Sequence, residues 1–208
     1  MIRTKKELHF YIKADRMMNR GYFVPTFLQR IKEFLFPDYI MRYLLEMRKY
    51  SYYSHMGGVK YCVLIAYYKI WYKRLGMKLG FSIGQNVFGY GLVIPHYGTI
   101  VIGGSNHCGN YCVLHTSTCI SDNGKTIGDA LYLATGAKIT SQCILGNNIL
   151  VGANSVVNKS FENDNIMIAG APAKVIKDAS PWYFPEGSIY ASRVEKVEML
   201  RKQLRTLS

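Results

Sequence analysis

Long apolar runs are absent from this chain of 208 residues. The nearest approach, Tyr61 to Tyr72, is interrupted by Lys69 and falls short of the roughly 18 consecutive apolar residues that a membrane-spanning helix needs. The first residues, MIRTKKELHF, are charged and lack the apolar core of a signal peptide, so the cytoplasm is the expected compartment. Cysteine is sparse and odd in number, five in all, which argues for reduced thiols over a disulfide framework. Cys108 and Cys112 have no second pair to complete a zinc site, and small buried side chains are the expectation for them. No Walker or dinucleotide glycine pattern occurs, nor any zinc-finger or RNA-binding signature, so nucleic acid is not an expected partner.

Acidic residues are also scarce, 13 against 26 Lys and Arg, and the resulting charge of +13 is uneven. Residues 1–80 hold 16 basic and 5 acidic side chains, net +11; residues 81–180 hold 5 and 5; the last 28 hold 5 and 3. A basic region joined to a neutral one suggests an anionic partner for the former: a membrane surface, a charged or lipid-linked glycan, or a phosphate-bearing ligand. The plainer alternative is a solvated helix face.

Residues 5–80 read as helices. Leu8, Ile12 and Asp15–Met18 recur at helical spacing, and the stretches Phe34 to Tyr50 and Val59 to Leu75 interleave aromatic with basic residues. Pro25, Pro37 and Gly57-Gly58 punctuate them. Such a mixture suits an interface apolar at one end and wet at the other, with subunit packing the default and peripheral membrane contact the alternative. Residues 189–207 read as a short amphipathic helix, with Ile189, Val194, Val197, Leu200 and Leu204 on one face.

Between them the pattern changes. Apolar residues recur every six positions at Ile102, Cys108, Leu114 and Ile120, and after one inserted residue at Ile127, Leu133, Ile139, Leu145 and Val151. The next residue is usually small, as at Gly103, Gly109, Gly128, Ala134, Gly146 and Gly152. Six residues make one short strand and a tight turn, and three strands close a triangular coil with the apolar residue inside. Each coil buries its edge only by stacking on the next, which makes a solenoid. Counting back six from Ile102 lands on His96, a polar residue in an apolar slot. Ile83-Gly84 is out of register, which predicts a loop or bulge around Gly89–Pro95.

The segment GLVIPHYGTIVI, from Gly91 to Ile102, resembles the serine O-acetyltransferase group of left-handed β-helix acyltransferases, as do IGDALYLATGAKI, LGNNILVGANSVV and IAGAPAKVI further on. Residues around Ala14-Asp15-Arg16 look more like the short members associated with capsule or lipopolysaccharide synthesis. The resemblance implies a mainly β fold with an α-helical N-terminal region: helices over 1–80, a left-handed parallel β-helix of hexapeptide repeats over 81–177, and an extension with a C-terminal helix over 178–208. It implies acetyl-CoA as co-substrate, no metal, and a homotrimer or dimer of trimers with sites between subunits.

His96 matches the family's catalytic histidine. An imidazole titrates near neutral pH, so it can accept a hydroxyl proton as the oxygen attacks a thioester and return it to the leaving thiolate. Gly98 lets backbone approach the substrate. By the same resemblance Ala134, Thr135, Gly152 and Ala153 lie along the acetyl-CoA groove. Gly170, Pro172 and Lys174 lie in the closing loop, with Lys174 and Lys177 facing CoA phosphates. Pro95, His115 and Asp122 are the acceptor-side candidates. Two departures stand out. Phe81 and Pro95 occupy places where serine-acetylating members carry Asp, and the loop Ser121–Thr126 lacks their further histidine. His96 is then expected to be oriented by another acid, such as Asp122 or Asp129 of an adjoining chain, or by a carbonyl. These losses favour a sugar hydroxyl of a surface polysaccharide or its precursor as acceptor over free serine. A non-catalytic scaffold in envelope synthesis is the alternative outside enzymes. A zinc site of His96, His107 and His115 would need three converging imidazoles and is disfavoured by the surrounding motif.

Overall fold

The structure, a computed structural model, describes residues 2–184 and 188–206. Four helices come first: α1 (Lys5–Arg20), α2 (Phe27–Leu35), α3 (Tyr39–Met56) and α4 (Cys62–Leu79). A capping box opens α1, where the Glu7 N–H donates to Thr4 Oγ1 at 3.1 Å. The stretch Phe34 to Tyr50 is not one segment. Pro37 lacks an N–H and drives Phe36 out of helical geometry (φ −125°, ψ 83°), so α2 ends at Leu35. Asp38 then caps α3 by accepting from the Met41 N–H at 3.1 Å.

From Phe81 the chain winds into a triangular prism of three parallel sheets. The first contains Phe81–Ile83 (β1), Ile100–Ile102 (β2), Thr118–Ile120 (β5), Lys138–Ile139 (β8) and Val156–Val157 (β11). The second contains His107–Cys108 (β3), Thr126–Ile127 (β6) and Ile144–Leu145 (β9), extended by bridges at Phe88 and Phe161. The third contains Val113–Leu114 (β4), Tyr132–Leu133 (β7), Ile149–Val151 (β10) and Ile166–Gly170 (β12). It closes with Ala173–Asp178 (β13), which turns back antiparallel on β12.

Equivalent apolar residues stack in the interior: Ile102, Ile120, Ile139 and Val157 from the first sheet, and Leu114, Leu133, Val151 and Ile168 from the third, all buried. The inserted residue falls in the Ser121–Lys125 corner, because β2 and β5 pair with a step of 18 residues and β3 and β6 with a step of 19.

Pairing corrects two expectations. Val93 bridges Val113, so Ile94 stands over Leu114 and fills the inward slot at 2% exposure. His96 is not in an apolar slot; it is exposed in the turn beyond. Ile94 and Ile102 are eight residues apart where the repeat gives six, and the surplus bulges outward at Pro95–Thr99 rather than over Gly89–Pro95. The physical reason is that an inward imidazole would sit in a hydrocarbon stack with no polar partner, whereas an inward Ile94 continues the column.

The first coil would present an open strand edge, and the helices close it. Arg48 and Asp15 form an ion pair buried between α3, α1 and the coil, with Nε to Oδ2 at 2.8 Å and Nη2 to Oδ1 at 3.2 Å. Arg48 also donates to the carbonyls of Phe88 (2.8 Å) and Gly89 (2.5 Å), while Asp15 accepts from the Leu92 N–H at 3.0 Å. One helical turn on, Asn19 donates to the Leu92 carbonyl at 2.8 Å and accepts from the Ile94 N–H at 3.1 Å. Every one of these backbone groups would otherwise be an unpaired edge. Burial pushes the Asp15 carboxyl up, against the pull of the Arg48 guanidinium and the Leu92 N–H.

The last helix, α5 (Ile189–Thr206), doubles back across α1. Val197 is fully buried, and Glu198 accepts from the hydroxyls of Tyr90 (2.9 Å) and Tyr111 (2.6 Å). Val194, Leu200 and Leu204 pack with it, but Ile189 points away at 60% exposure and does not share the buried face.

Candidate active site

The turn bearing His96 is tied at both ends. On entry, Asn19 holds the Ile94 N–H. On exit, the Gly98 N–H donates to the Leu79 carbonyl at 2.9 Å and the Ile100 N–H to Gly80 at 3.0 Å, so the turn rests on the end of α4. Gly98 has φ 142° and lies over Thr116, where an added Cβ would approach Thr116 Cγ2 to 3.1 Å. A side chain there would be strained in backbone and press on Thr116.

Three corners separate the sheets, and most of the residues singled out in the sequence share one of them, between the third sheet and the first. Successive coils are linked there by the His115 N–H to Leu133 (3.1 Å), Ala134 N–H to Val151 (3.1 Å) and Gly152 N–H to Ile168 (2.8 Å). Pro95, His115, Ala134 and Gly152 each directly follow an inward residue of the third sheet and form one column. Thr116, Thr135, Ala153 and Gly170 follow as a second column, and the His96 turn lies above it with Gly98 against Thr116. With coils about 4.8 Å apart, the three steps from Thr116 to Gly170 span about 14 Å. At the lower end Gly170 pairs with Ala173 as the chain reverses, and Pro172 and the exposed Lys174 lie in and just past that turn. The strip below the two histidines therefore carries only small side chains and ends beside a lysine.

His115 is half-buried and its ring lies 5.0 Å from that of Tyr132. Burial, and after it the nearby His96, pushes its imidazole below the ordinary value, so it is neutral at neutral pH. Replacing His96 by alanine removes the second cause and leaves the first. The His115 titration followed by NMR should move up, yet stay below that of a free histidine; no movement would mean the two rings do not interact.

Asp122 is at a different corner, between the first and second sheets. Its carboxylate accepts from the Ser105 hydroxyl and from the Ser105 N–H at 2.8 Å, and these bonds lower it from the ordinary carboxylate value. Asp129 is at the third corner, in a ladder in which Asn110, Asp129 and Asn147 each donate a backbone N–H to the side chain one coil on. Neither acid reaches His96 within the chain. Among the described residues no carboxylate bonds the His96 ring. His107 is exposed on the second sheet, away from the other two histidines, and no cluster of three metal-ligating side chains occurs among the described residues.

His96 instead opens on a cavity of about 630 Å³ between the β-helix and the N-terminal helices. Arg20, Tyr22, Lys32, Asp38, Pro95 and Tyr97 are among its walls. Asp38 is held by Arg20, and Glu33, also lining it, by Arg16 and Tyr22 at 2.9 Å each. The sequence did not point to these helical residues. Asn19 alone left a trace, one turn after Asp15 on the same face of α1.

No family model matches the chain. It is 26% identical over 145 residues to a serine acetyltransferase of Synechococcus elongatus, covering 62% of this chain and 57% of that protein. It is 40% identical over 58 residues to the putative lipopolysaccharide biosynthesis O-acetyl transferase WbbJ of Escherichia coli, 28% of this chain and 29% of that one. A Staphylococcus aureus serine acetyltransferase is 29% identical over 105 residues, 47% of this chain and 46% of that one. The chain thus spans little over half the length of the first relative and less of the others. Among solved structures, serine acetyltransferase of Brucella abortus in complex with coenzyme A aligns with TM-score 0.59 and 18% identity over 84% of this chain and 68% of that one. Serine acetyltransferase of Neisseria gonorrhoeae aligns with TM-score 0.57 and 22% identity over 84% and 65%. The fold is that of these left-handed parallel β-helices, and in sequence the chain resembles hexapeptide-repeat O-acetyltransferases.

Proposed function

We propose that the chain is an acetyl-CoA-dependent O-acetyltransferase with His96 as general base. The observation that carries this reading is that His96 is exposed at the head of the small-residue strip and at the wall of a cavity. A thioester arm lying along Thr135, Ala153 and Gly170 would bring its carbonyl to the imidazole from below, while an alcohol enters from the helical side. The acceptor hydroxyl gives its proton to His96 as its oxygen attacks the thioester carbon, and the same proton passes to the sulfur as the C–S bond breaks. Lys174, at the end of the strip beside Gly170, would neutralise a CoA phosphate; Lys177 pairs with Met167 toward the far end of β13 and is away from it.

For the acceptor, a sugar hydroxyl of a surface polysaccharide or its precursor is preferred. Phe81 is buried against the Tyr43 ring at 5.2 Å, and Pro95 carries no charge, so neither can replace the carboxylates that serine-acetylating relatives use. Serine stands beside it as the second reading, because two of the three named sequence relatives and both named structures are serine acetyltransferases, while the third relative is a putative lipopolysaccharide O-acetyl transferase.

The test is release of free thiol from acetyl-CoA with serine and with candidate glycans side by side. Thr135→Tyr and Ala153→Tyr add bulk to exposed positions of the strip. Each should raise KM for acetyl-CoA by about tenfold, equivalent to about 1.4 kcal/mol of lost binding, with an unchanged melting temperature. Thiol release from no acceptor would leave the scaffold reading; an unaltered KM would remove the donor from this strip; efficient turnover of serine would reverse the order of acceptors.

A further inference from the structure

The apolar face of α2 is a surface that the fold leaves without an account. Phe27, Leu28, Ile31, Phe34 and Leu35 fall on one side of the helix at positions i, i+1, i+4, i+7 and i+8, and none is buried. Phe34 is 84% and Phe27 76% exposed. A helix normally turns such a stripe toward a core; here it faces outward.

The charges around that face select its occupant. The one carboxylate of α2, Glu33, points inward to Arg16 and Tyr22. The next, Asp38, is bound by Arg20. Arg30 and Lys32 remain at the flanks, on a region of net charge +11. Arg42 lines both the cleft behind Phe34 and a second cleft on α4 walled by Tyr67, Trp71, Arg74 and Lys78, so the apolar and basic surface continues from one helix to the other. A second copy laid face to face would bring two such basic regions together, at a cost that an anionic partner turns into attraction. No described helix is long and apolar enough to cross a membrane, which leaves an in-plane position.

We propose that α2 is an interfacial helix that seats the protein on an anionic bilayer. The apolar stripe enters the headgroup boundary, and Arg30, Lys32 and Arg42 meet lipid phosphates. Gln29, Lys32 and Phe36 line the same cavity as His96, so the seat sets that cavity at the flank of the membrane. Given the transferase reading, on which this last step rests, a hydroxyl carried on a lipid meets His96 without leaving the surface.

Flotation of the full chain with vesicles tests the docking without acetyl-CoA or any turnover, so its failure is separate from failure of the transferase reading. The protein should float with vesicles of phosphatidylcholine and phosphatidylglycerol, weakly with phosphatidylcholine alone, and less as salt is raised. Phe27→Gln with Phe34→Gln, both at exposed positions outside the His96 cavity, should lower the partition by at least about tenfold with the melting temperature unchanged. No flotation of the wild type, or equal flotation of the variant, overturns the proposal. So does a fall in the oligomer mass of the variant by light scattering without lipid, which would show a second copy on this face.

Discussion

Replacing His96 by alanine should lower kcat by about 10²–10⁴-fold while the KM for acetyl-CoA changes little. The side chain is exposed and makes no packing contact whose loss would unfold the turn, so the melting temperature should stay within the small range of surface substitutions. The turn itself is held by the backbone, through Asn19, Leu79 and Gly80, and not by the ring. Loss of turnover in the variant therefore reports the loss of a proton acceptor. His115, neutral and next to it, is the nearest substitute, and any residual rate should fall further in the double variant by less than the product of the two single effects. Initial rates of thiol release at saturating acceptor give kcat. Turnover of His96→Ala equal to that of the wild type would remove the general base from the proposed mechanism.

The largest expected effect on stability comes from Arg48→Met. It leaves the Asp15 carboxylate buried without its guanidinium and strips the Phe88 and Gly89 carbonyls of their donor. Breaking a buried pair from one side costs about 3–5 kcal/mol, against about 0–1 kcal/mol for a surface ion pair. Urea unfolding should show that loss, and the double variant Asp15→Leu, Arg48→Met should recover part of it. Recovery stays incomplete because the Leu92 N–H loses its acceptor too. A loss under about 1 kcal/mol would mean that the pair is not what closes the first coil.

The β-helix itself was legible in the sequence because its signal is local and repeated. Each coil spends its six-residue unit the same way, so Leu114, Leu133 and Val151 announce the interior without reference to anything distant. The alignment of Ala134 with Gly152 was legible for the same reason, since both are repeat positions that regular stacking puts in line; their proposed donor role came from the resemblance alone. His96 was found by its motif but assigned the wrong slot, since the two surplus residues of its turn cannot be distributed by counting. Asp122 and Asp129 show what spacing along the chain leaves open. In sequence they are free acids near a candidate base; in the fold they are at the two other corners, bonded to Ser105 and to the Asn110 N–H.

What the amino-acid order determined by itself is the period, and with it the prism, its hydrocarbon interior and the strip of small side chains, because short-range strand and turn geometry repeats until it stacks. What only the tertiary structure decided is how the first coil's open edge is closed and what faces the His96 turn. That depends on Asp15, Asn19 and Arg48 reaching across as many as 77 residues to unpaired strand edges, and on α2 lying beside His96 with its apolar side outward. Bonds between distant segments leave no periodic trace in a sequence, so their partners appear only once the chain has folded.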